Sequence, residues 1–381
     1  MNRKLSFADR HERVGHLVGA MGPAFRRSNI LMQTAIDRGI FPGAVLMVAS
    51  VEEVLLHRAY GMADLFCRQP MMLDTVFDLA SLTKPLATTL AVMKWVEQGR
   101  LDLDYPCQTF LPWFGGRGKN TITIRHLLSH TSGLPAWRPY YLRLHHVSPL
   151  RRRTVLQQWV GAEALGNRPG QRCEYSDIGF MVLQWILEQM SGQPLHRLAE
   201  ALLWRPLGID SLFFIDLSGQ SPQHFYAATE FCPWRAALLK GRVHDDNAFT
   251  LGGVAGHAGL FGCADGVMRL LRGLLSADLG KSEHALFKRD TIHAIFQRQS
   301  NGRFALGFDT PDEKDSSAGC RFSSHAVGHL GYTGTSFWLD RRKGVIVLLL
   351  TNRVHPTRYN NTIRAFRPKL HDAVMADVLG D

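Results

Sequence analysis

Apolar positions along this chain recur with two different periods, and the change of period divides it. Residues 8 to 40 read as helical segments that end at the turn around Phe41-Pro42-Gly43. Ala44 to Ala49 is an unbroken apolar run of strand length, and Val54 to Tyr60 is a second strand-like stretch. The intervening Ser50-Val51-Glu52-Glu53 makes the two an antiparallel hairpin. From about Ser81 to Gly99 the spacing turns helical, with Leu86, Leu90, Met93 and Val96 every three or four residues. Helical patterns and loops then dominate to about residue 250. Thr123 to His130 predicts a helix capped by Gly133, with Pro135 just beyond. A longer helix follows Asp177, with Phe180, Leu183, Ile186, Leu187 and Met190 on one face, and stops at Gly192. Ser336 to Asp340 and Val345 to Leu350 predict a second strand pair. Strands at both ends with helices between them predict an α+β fold, one sheet assembled from the two ends with a helical lobe inserted. The expected division is residues 1–85 with 250–381 for the sheet domain and 86–249 for the mainly helical domain.

Composition adds few constraints. Hydrophobic residues make up 45% of the 381 and charged residues 20%, as in an ordinary globular protein large enough for two lobes. No apolar run approaches the roughly 20 residues that cross a bilayer, so no membrane partner is expected. At the N-terminus Met1-Asn2-Arg3-Lys4 is basic, but charged residues return at Asp9 to Arg13. Leu17 to Gly22 is too brief and Gly-rich for a signal core, which predicts a cytoplasmic protein. The six cysteines show no CxxC pair and no metal-ligand spacing, so they are expected to be reduced and mostly buried.

The net charge of +11 could attract nucleic acid, yet the dense basic runs are only two. Arg151-Arg152-Arg153 lies in a polar connecting segment, and Arg341-Arg342-Lys343 reads as a solvated hairpin turn closed by Gly344. Neither makes an extended basic face. The expected partner is a small-molecule substrate rather than nucleic acid, and the oligomeric state stays open.

Three short motifs carry chemistry. Ser81-Leu82-Thr83-Lys84 opens a helix after the apolar approach Phe77-Asp78-Leu79-Ala80. A helix start favours a nearby oxyanion, and a spacing of three puts Lys84 on the face of Ser81. The plain alternative is a serine cap with a solvent-facing lysine. Tyr175-Ser176-Asp177 precedes an amphipathic helix. A serine hydroxyl needs a base, and a tyrosine can serve only when a cation lowers its pKa from about 10. Here the plain alternative is a packed tyrosine with Asp177 as helix cap. Gly328-His329-Leu330-Gly331-Tyr332 lies just before the strand of Phe337 to Asp340, where glycines let a substrate approach the backbone and a strand edge offers N–H groups. Its plain alternative is a turn entering a strand.

In this order the three motifs resemble the serine β-lactamase and penicillin-binding-protein superfamily. More narrowly they are similar to the group of class C β-lactamases, D-alanyl-D-alanine carboxypeptidases and family VIII esterases. Phe77 to Pro85, His126 to Pro135, Val243 to Ala248 and Leu251 to Phe261 match that group as well, and the resemblance runs from about residue 30 to 355. It implies an antiparallel sheet flanked by helices, an all-helical lobe, and an active site between them. It implies that Ser81 attacks a carbonyl with Lys84 and Tyr175 as activating pair, leaving open which of the two takes the first proton. It further implies backbone N–H groups of Ser81 and Tyr332 as an oxyanion hole, and Asp177, His329, Leu330 and Gly331 as substrate-binding positions.

Two departures bear on substrate. Most relatives have Lys and then Thr or Ser where this chain has His329 and Leu330, and an amide where it has Asp177. His329, with a reference pKa near 6.5, is expected to be charged part of the time, and Leu330 donates no hydrogen bond. These changes favour small neutral esters. The expected function is an esterase-like serine hydrolase working through an acyl-enzyme. The alternatives are a true β-lactamase or D-alanyl-D-alanine carboxypeptidase, or a catalytically weak binding or sensor protein.

Other chemistries find no support. There is no G-x-S-x-G elbow, and His11 to His16 is one residue too long for H-E-x-x-H. His126 and His130 have a spacing that could hold metal, but cationic residues near a helix C-terminus more often complement its dipole. Gly253, Gly256, Gly259 and Gly262 spell no nucleotide loop. No metal and no cofactor is expected.

Overall fold

The computed structural model describes residues 25–380, apart from 220–221, 282–284, 300–301 and 313. The helical expectation for residues 8 to 24 lies outside the described residues. Helix α1 (Arg26–Asp37) leads into β1 (Gly43–Ala49) and β2 (Val54–Asp64), paired antiparallel, followed by the short β3 (Gln69–Pro70) and β4 (Phe77–Asp78). Helices α2 (Leu90–Glu97), α3 (Ile124–Leu128), α4 (Tyr141–Leu144), α5 (Pro149–Ala162), α6 (Asp177–Ser191) and α7 (Leu195–Ala199) form the middle of the chain. Three short strands come next, β5 (Leu212–Phe214), β6 (Phe231–Cys232) and β7 (Ala237–Leu238). They are followed by α8 (Asp246–Thr250), β8 (Leu260–Gly262), α9 (Ala264–Asp278) and α10 (Arg289–Phe296). The last elements are β9 (Val327–Leu330), β10 (Ser336–Asp340), β11 (Val345–Thr351) and α11 (Ile363–Leu379).

The main sheet has the order β3-β2-β1-β11-β10-β9, with every described pairing antiparallel. Ala44 pairs with Thr351 and Ala49 with Ile346, so the two ends of the chain meet at the sheet centre. Every residue of β1 and of β11 is buried, as unbroken apolar runs demand when both faces of a sheet are covered. On one face Ala44, Leu46, Val48, Trp338, Val347 and Leu349 pack with α1 and α11. On the other, Val45, Met47, Leu348 and Leu350 join α9, α10, α2 and α6 in a continuous core.

The middle of the chain departs from an all-helical lobe. β5 joins β4 and β8 in a three-stranded sheet, and β6 pairs with β7. Runs of two or three residues are too short to display a period of two. The helix expected from Ser81 is also not uniform. Ala80–Leu82 is a 3₁₀ turn, Lys84–Thr89 is π-helical and only Leu90–Glu97 is α. Pro85 has no N–H to give to a regular ladder, and π turns inside helices often mark functional positions.

Four smaller expectations are corrected. α3 ends at Leu128, and the residue that leaves it in the left-handed region is His130 (φ 59°), not Gly133. Gly133 serves a different need: a Cβ there would meet Asn167 O at 2.2 Å. Arg151 to Arg153 lie within α5, where Arg153 pairs with Glu188 at 2.5 Å. Arg341 is not merely solvated but clamps the buried Asp278 through two hydrogen bonds of 2.8 and 2.6 Å, while Gly344 closes the turn at φ 66°. Of the six free cysteines three are buried, Cys173 is half-buried, and Cys67 and Cys320 are exposed.

Candidate active site

Ser81 begins where the chain turns sharply out of β4. Ala80 has φ 48°, a left-handed conformation that a residue with a Cβ seldom adopts. Its N–H donates to Asp78 Oδ1 at 2.9 Å, which holds the turn. Lys84 follows on the same face and is fully buried. Its ammonium donates to Ser81 Oγ at 3.0 Å and to His257 O at 3.0 Å, and pairs with Asp177 Oδ1 at 2.7 Å. Burial pulls the Lys84 pKa down, but the Asp177 carboxylate and Tyr175 outweigh it and raise it above the usual lysine value. Lys84 is therefore an ammonium at neutral pH.

Tyr175 is carried by a loop fixed from beneath by His130. Glu174 N–H donates to His130 O at 2.8 Å, and Ser176 N–H donates to His130 Nδ1 at 3.0 Å. The His130 ring lies 4.6 Å from that of Tyr175. Burial, then the charge of Lys84, keeps His130 neutral well below the usual histidine pKa. The cap of α6 is Ser176, whose Oγ accepts from Gly179 N–H at 3.2 Å. Asp177 is thus released from capping and faces Lys84. Lys84 Nζ sits 4.8 Å from the centroid of the Tyr175 ring. Burial raises the Tyr175 pKa, with Lys84 opposing and Asp177 adding.

The third segment comes from the sheet edge. His329 lies on β9 opposite Phe337 and is 3% exposed. A carbonyl only accepts, so the 2.9 Å contact with Leu330 O puts the proton on His329 Nδ1 and leaves Nε2 as an acceptor. Burial first, and Lys84 second, push its pKa down to about 3. The expectation of a partly charged imidazole is corrected: the ring is neutral at pH 7, because no carboxylate compensates the loss of water. Gly331 has no room for a side chain, since a Cβ would meet Thr335 Oγ1 at 2.0 Å and Leu79 O at 2.7 Å. The Tyr332 carbonyl accepts from Arg353 Nε at 2.9 Å, and its ring stacks on His244 at 5.6 Å.

Ser81, Tyr175, His329, Leu330, Gly331 and Tyr332 line one cavity of about 580 Å³. Its outer wall is basic: Arg353, Arg364 and Arg367 line it, and burial together with the other two brings Arg367 down to about 9. Arg303 also lines it, paired with Asp309 at 3.0 Å.

Reasoning from sequence missed several contributors. Asp245 caps α8 through Ala248 N–H at 2.7 Å and meets His257 Nε2 at 3.0 Å, below the carbonyl that receives Lys84. Burial alone would raise the Asp245 carboxyl, but His257 holds it well below the usual range. Asp78 and His130 were visible only as members of matching segments. The lone pairs of His126 and His130 that could bind metal are used instead by Thr123 and Ser176 N–H groups.

This combination of antiparallel sheet, S-x-x-K turn and facing tyrosine belongs to serine hydrolases of the β-lactamase fold. The family model described as Beta-lactamase matches residues 31–369, and the chain belongs to that family. It is 34% identical over 363 residues to an N-acetylmuramyl-L-alanine amidase of Bacillus subtilis (strain 168), covering 87% of this chain and 81% of that protein. Among solved structures it is similar to EstCE1, described as a hydrolase with promiscuous acyltransferase activity. The TM-score is 0.73 at 26% identity, covering 92% of this chain and 98% of that one. A penicillin-binding-protein homologue from Caulobacter crescentus shares the fold, with a TM-score of 0.73 at 20% identity over 94% of this chain and 99% of that one. No helix among the described residues is long and apolar enough to cross a membrane.

Proposed function

We propose that this protein is an esterase-like serine hydrolase that cleaves small esters through an acyl-enzyme on Ser81. The observation that carries the reading is the 3.0 Å contact between the buried Lys84 ammonium and Ser81 Oγ, with the Tyr175 ring against the same ammonium. Ser81 Oγ attacks the carbonyl carbon while its proton passes to the coupled Lys84–Tyr175 pair. Lys84 is already protonated in the resting state, so Tyr175 and Asp177 complete the relay. The tetrahedral oxyanion sits against the N–H groups of Ser81 and Tyr332, an arrangement worth around 10²–10³ in rate per donor. Collapse expels the alcohol, which takes the proton back, and water then repeats the sequence on the acyl-enzyme.

Neutral His329 and apolar Leu330 support an uncharged group beside the scissile bond. Asp177, as counter-ion to Lys84, serves the activating pair as much as the substrate. The kinship with EstCE1, whose description names hydrolase and acyltransferase activity, supports the same reading. A second reading, cleavage of an amide in a substrate with an acidic end, is favoured by the arginines of the outer wall and by the amidase relative. In both, the cleft lies between the sheet domain and a helical domain of residues 86–249.

Incubation with p-nitrophenyl acetate and butyrate, nitrocefin and a fluorophosphonate probe tests this. Turnover of short esters with little nitrocefin cleavage is expected, and Ser81→Ala is expected to abolish covalent labelling. Rapid nitrocefin hydrolysis would reverse the order of the two readings, and persistent labelling of Ser81→Ala would point to another nucleophile.

A further inference from the structure

Asp78 carries no reacting atom, yet both of its carboxylate oxygens are committed next to Ser81. The side chain is buried, in a residue 3% exposed. Oδ1 accepts the Ala80 N–H at 2.9 Å, and Oδ2 accepts the His244 N–H at 2.6 Å. The first bond holds the left-handed residue that aims the Ser81 N–H. The second holds the residue whose imidazole stacks on the Tyr332 ring at 5.6 Å. Backbone carbonyls at the same point are tied to the opposite segment: Thr333 Oγ1 donates to Asp78 O at 2.8 Å, and Thr335 Oγ1 donates to Leu79 O at 3.1 Å. His244 is anchored in turn, its Nε2 3.1 Å from Glu230 Oε2, which also accepts from Arg358 Nε at 2.6 Å.

We propose that Asp78 is a positioning residue for the oxyanion hole, one carboxylate bracing the backbone that presents the Ser81 N–H and the support under Tyr332. The inference rests on the reading of those two N–H groups as oxyanion donors. A merely structural carboxylate would need only to satisfy two buried N–H groups anywhere in the fold. Here the two belong to different segments, each adjoining one of the two donors, and the Ala80 turn is a conformation that relaxes when its partner is removed. Donors displaced by a few tenths of an ångström still bind substrate but stabilise the tetrahedral species less.

The test is Asp78→Asn, which keeps the size of the side chain but turns one acceptor into a donor facing an N–H. With p-nitrophenyl butyrate, kcat per fluorophosphonate-titrated site should fall about 10- to 100-fold while KM stays within about threefold. Affinity for an alkylboronic acid, which forms a tetrahedral adduct, should fall by a similar factor. An unchanged kcat per titrated site, or a loss confined to KM, overturns the proposal. Should Asp78→Asn fail to fold, His244→Ala carries the test, because it keeps the backbone N–H and removes only the support under Tyr332. It should show the same division between kcat and KM, and an unchanged kcat would again overturn the proposal. Ser81→Ala run in parallel separates the two levels. Labelling that persists there overturns the assignment of Ser81 and this inference with it, whereas lost labelling beside an unaffected Asp78→Asn overturns this inference alone.

Discussion

Replacing Asp177 by Asn removes the counter-ion of a fully buried lysine while leaving its shape. At the observed 2.7 Å and an effective dielectric of about 20, two unit charges attract by about 6 kcal/mol. Asp177 is partly open to solvent, with a side-chain exposure of 17%, and the Asn amide retains a dipole toward the ammonium. About half of the attraction, near 3 kcal/mol, should therefore be lost, at the lower end of what breaking a buried pair costs. For a chain of this size that is a fall of about 5 °C in melting temperature.

The pH profile gives the sharper signature. The folded-state pKa of Lys84 lies above the usual lysine value, so its stabilisation is fully present below that value and is lost only as pH rises through the raised one. Without Asp177 the burial term that lowers the pKa is left less opposed, and the alkaline limb of kcat/KM moves to lower pH. Ester hydrolysis followed from pH 6 to 11, with thermal melts at the same pH values, measures both. An Asp177→Asn protein with the alkaline limb and melting temperature of the parent would refute the claim that this carboxylate governs the charge of Lys84.

Two further predictions concern stability. Gly331→Ala places a Cβ against Thr335 Oγ1 and the Leu79 carbonyl, so stability should drop by about 2 kcal/mol and ester turnover with it; an unchanged melt and rate would mean the turn has slack. His371, fully buried, is held neutral by burial and its pKa pushed down to about 4. Between that value and the usual 6.5 the unfolded chain binds the extra proton, so stability should rise with pH across this window. His371→Gln should flatten that slope by about one proton, worth about 3 kcal/mol, as read from denaturant melts at pH 4.5 and 7.

The central sheet was legible because β1 and β11 are continuous apolar runs, and α6 because its apolar face ends at a glycine. Residues within one turn of each other, Ser81 and Lys84, could be paired by spacing alone. The partnership of Lys84 with Asp177 and with the His257 carbonyl could not, because those contacts join segments that no local period connects. The charge state of His329 was misjudged for a related reason: a reference pKa describes a solvated ring, and burial on β9 beside an ammonium is a property of the assembled fold. Short strands such as β5 and β6 escaped because they exist only through their partners.

The pairing of β1 with β11 has a consequence for how the molecule is made. A ribosome releases Ser81 and Lys84 long before it has translated Val345 to Thr351, so the strand that must lie beside β1 does not yet exist when the nucleophile emerges. Contacts of such long sequence separation form slowly. Until they close, the edge of β1 stays open to other strands and the N–H of Tyr332 has nowhere to meet the serine. A nascent chain of this design is therefore inert toward esters during translation, and it is most exposed to mispairing in the interval before β11 arrives.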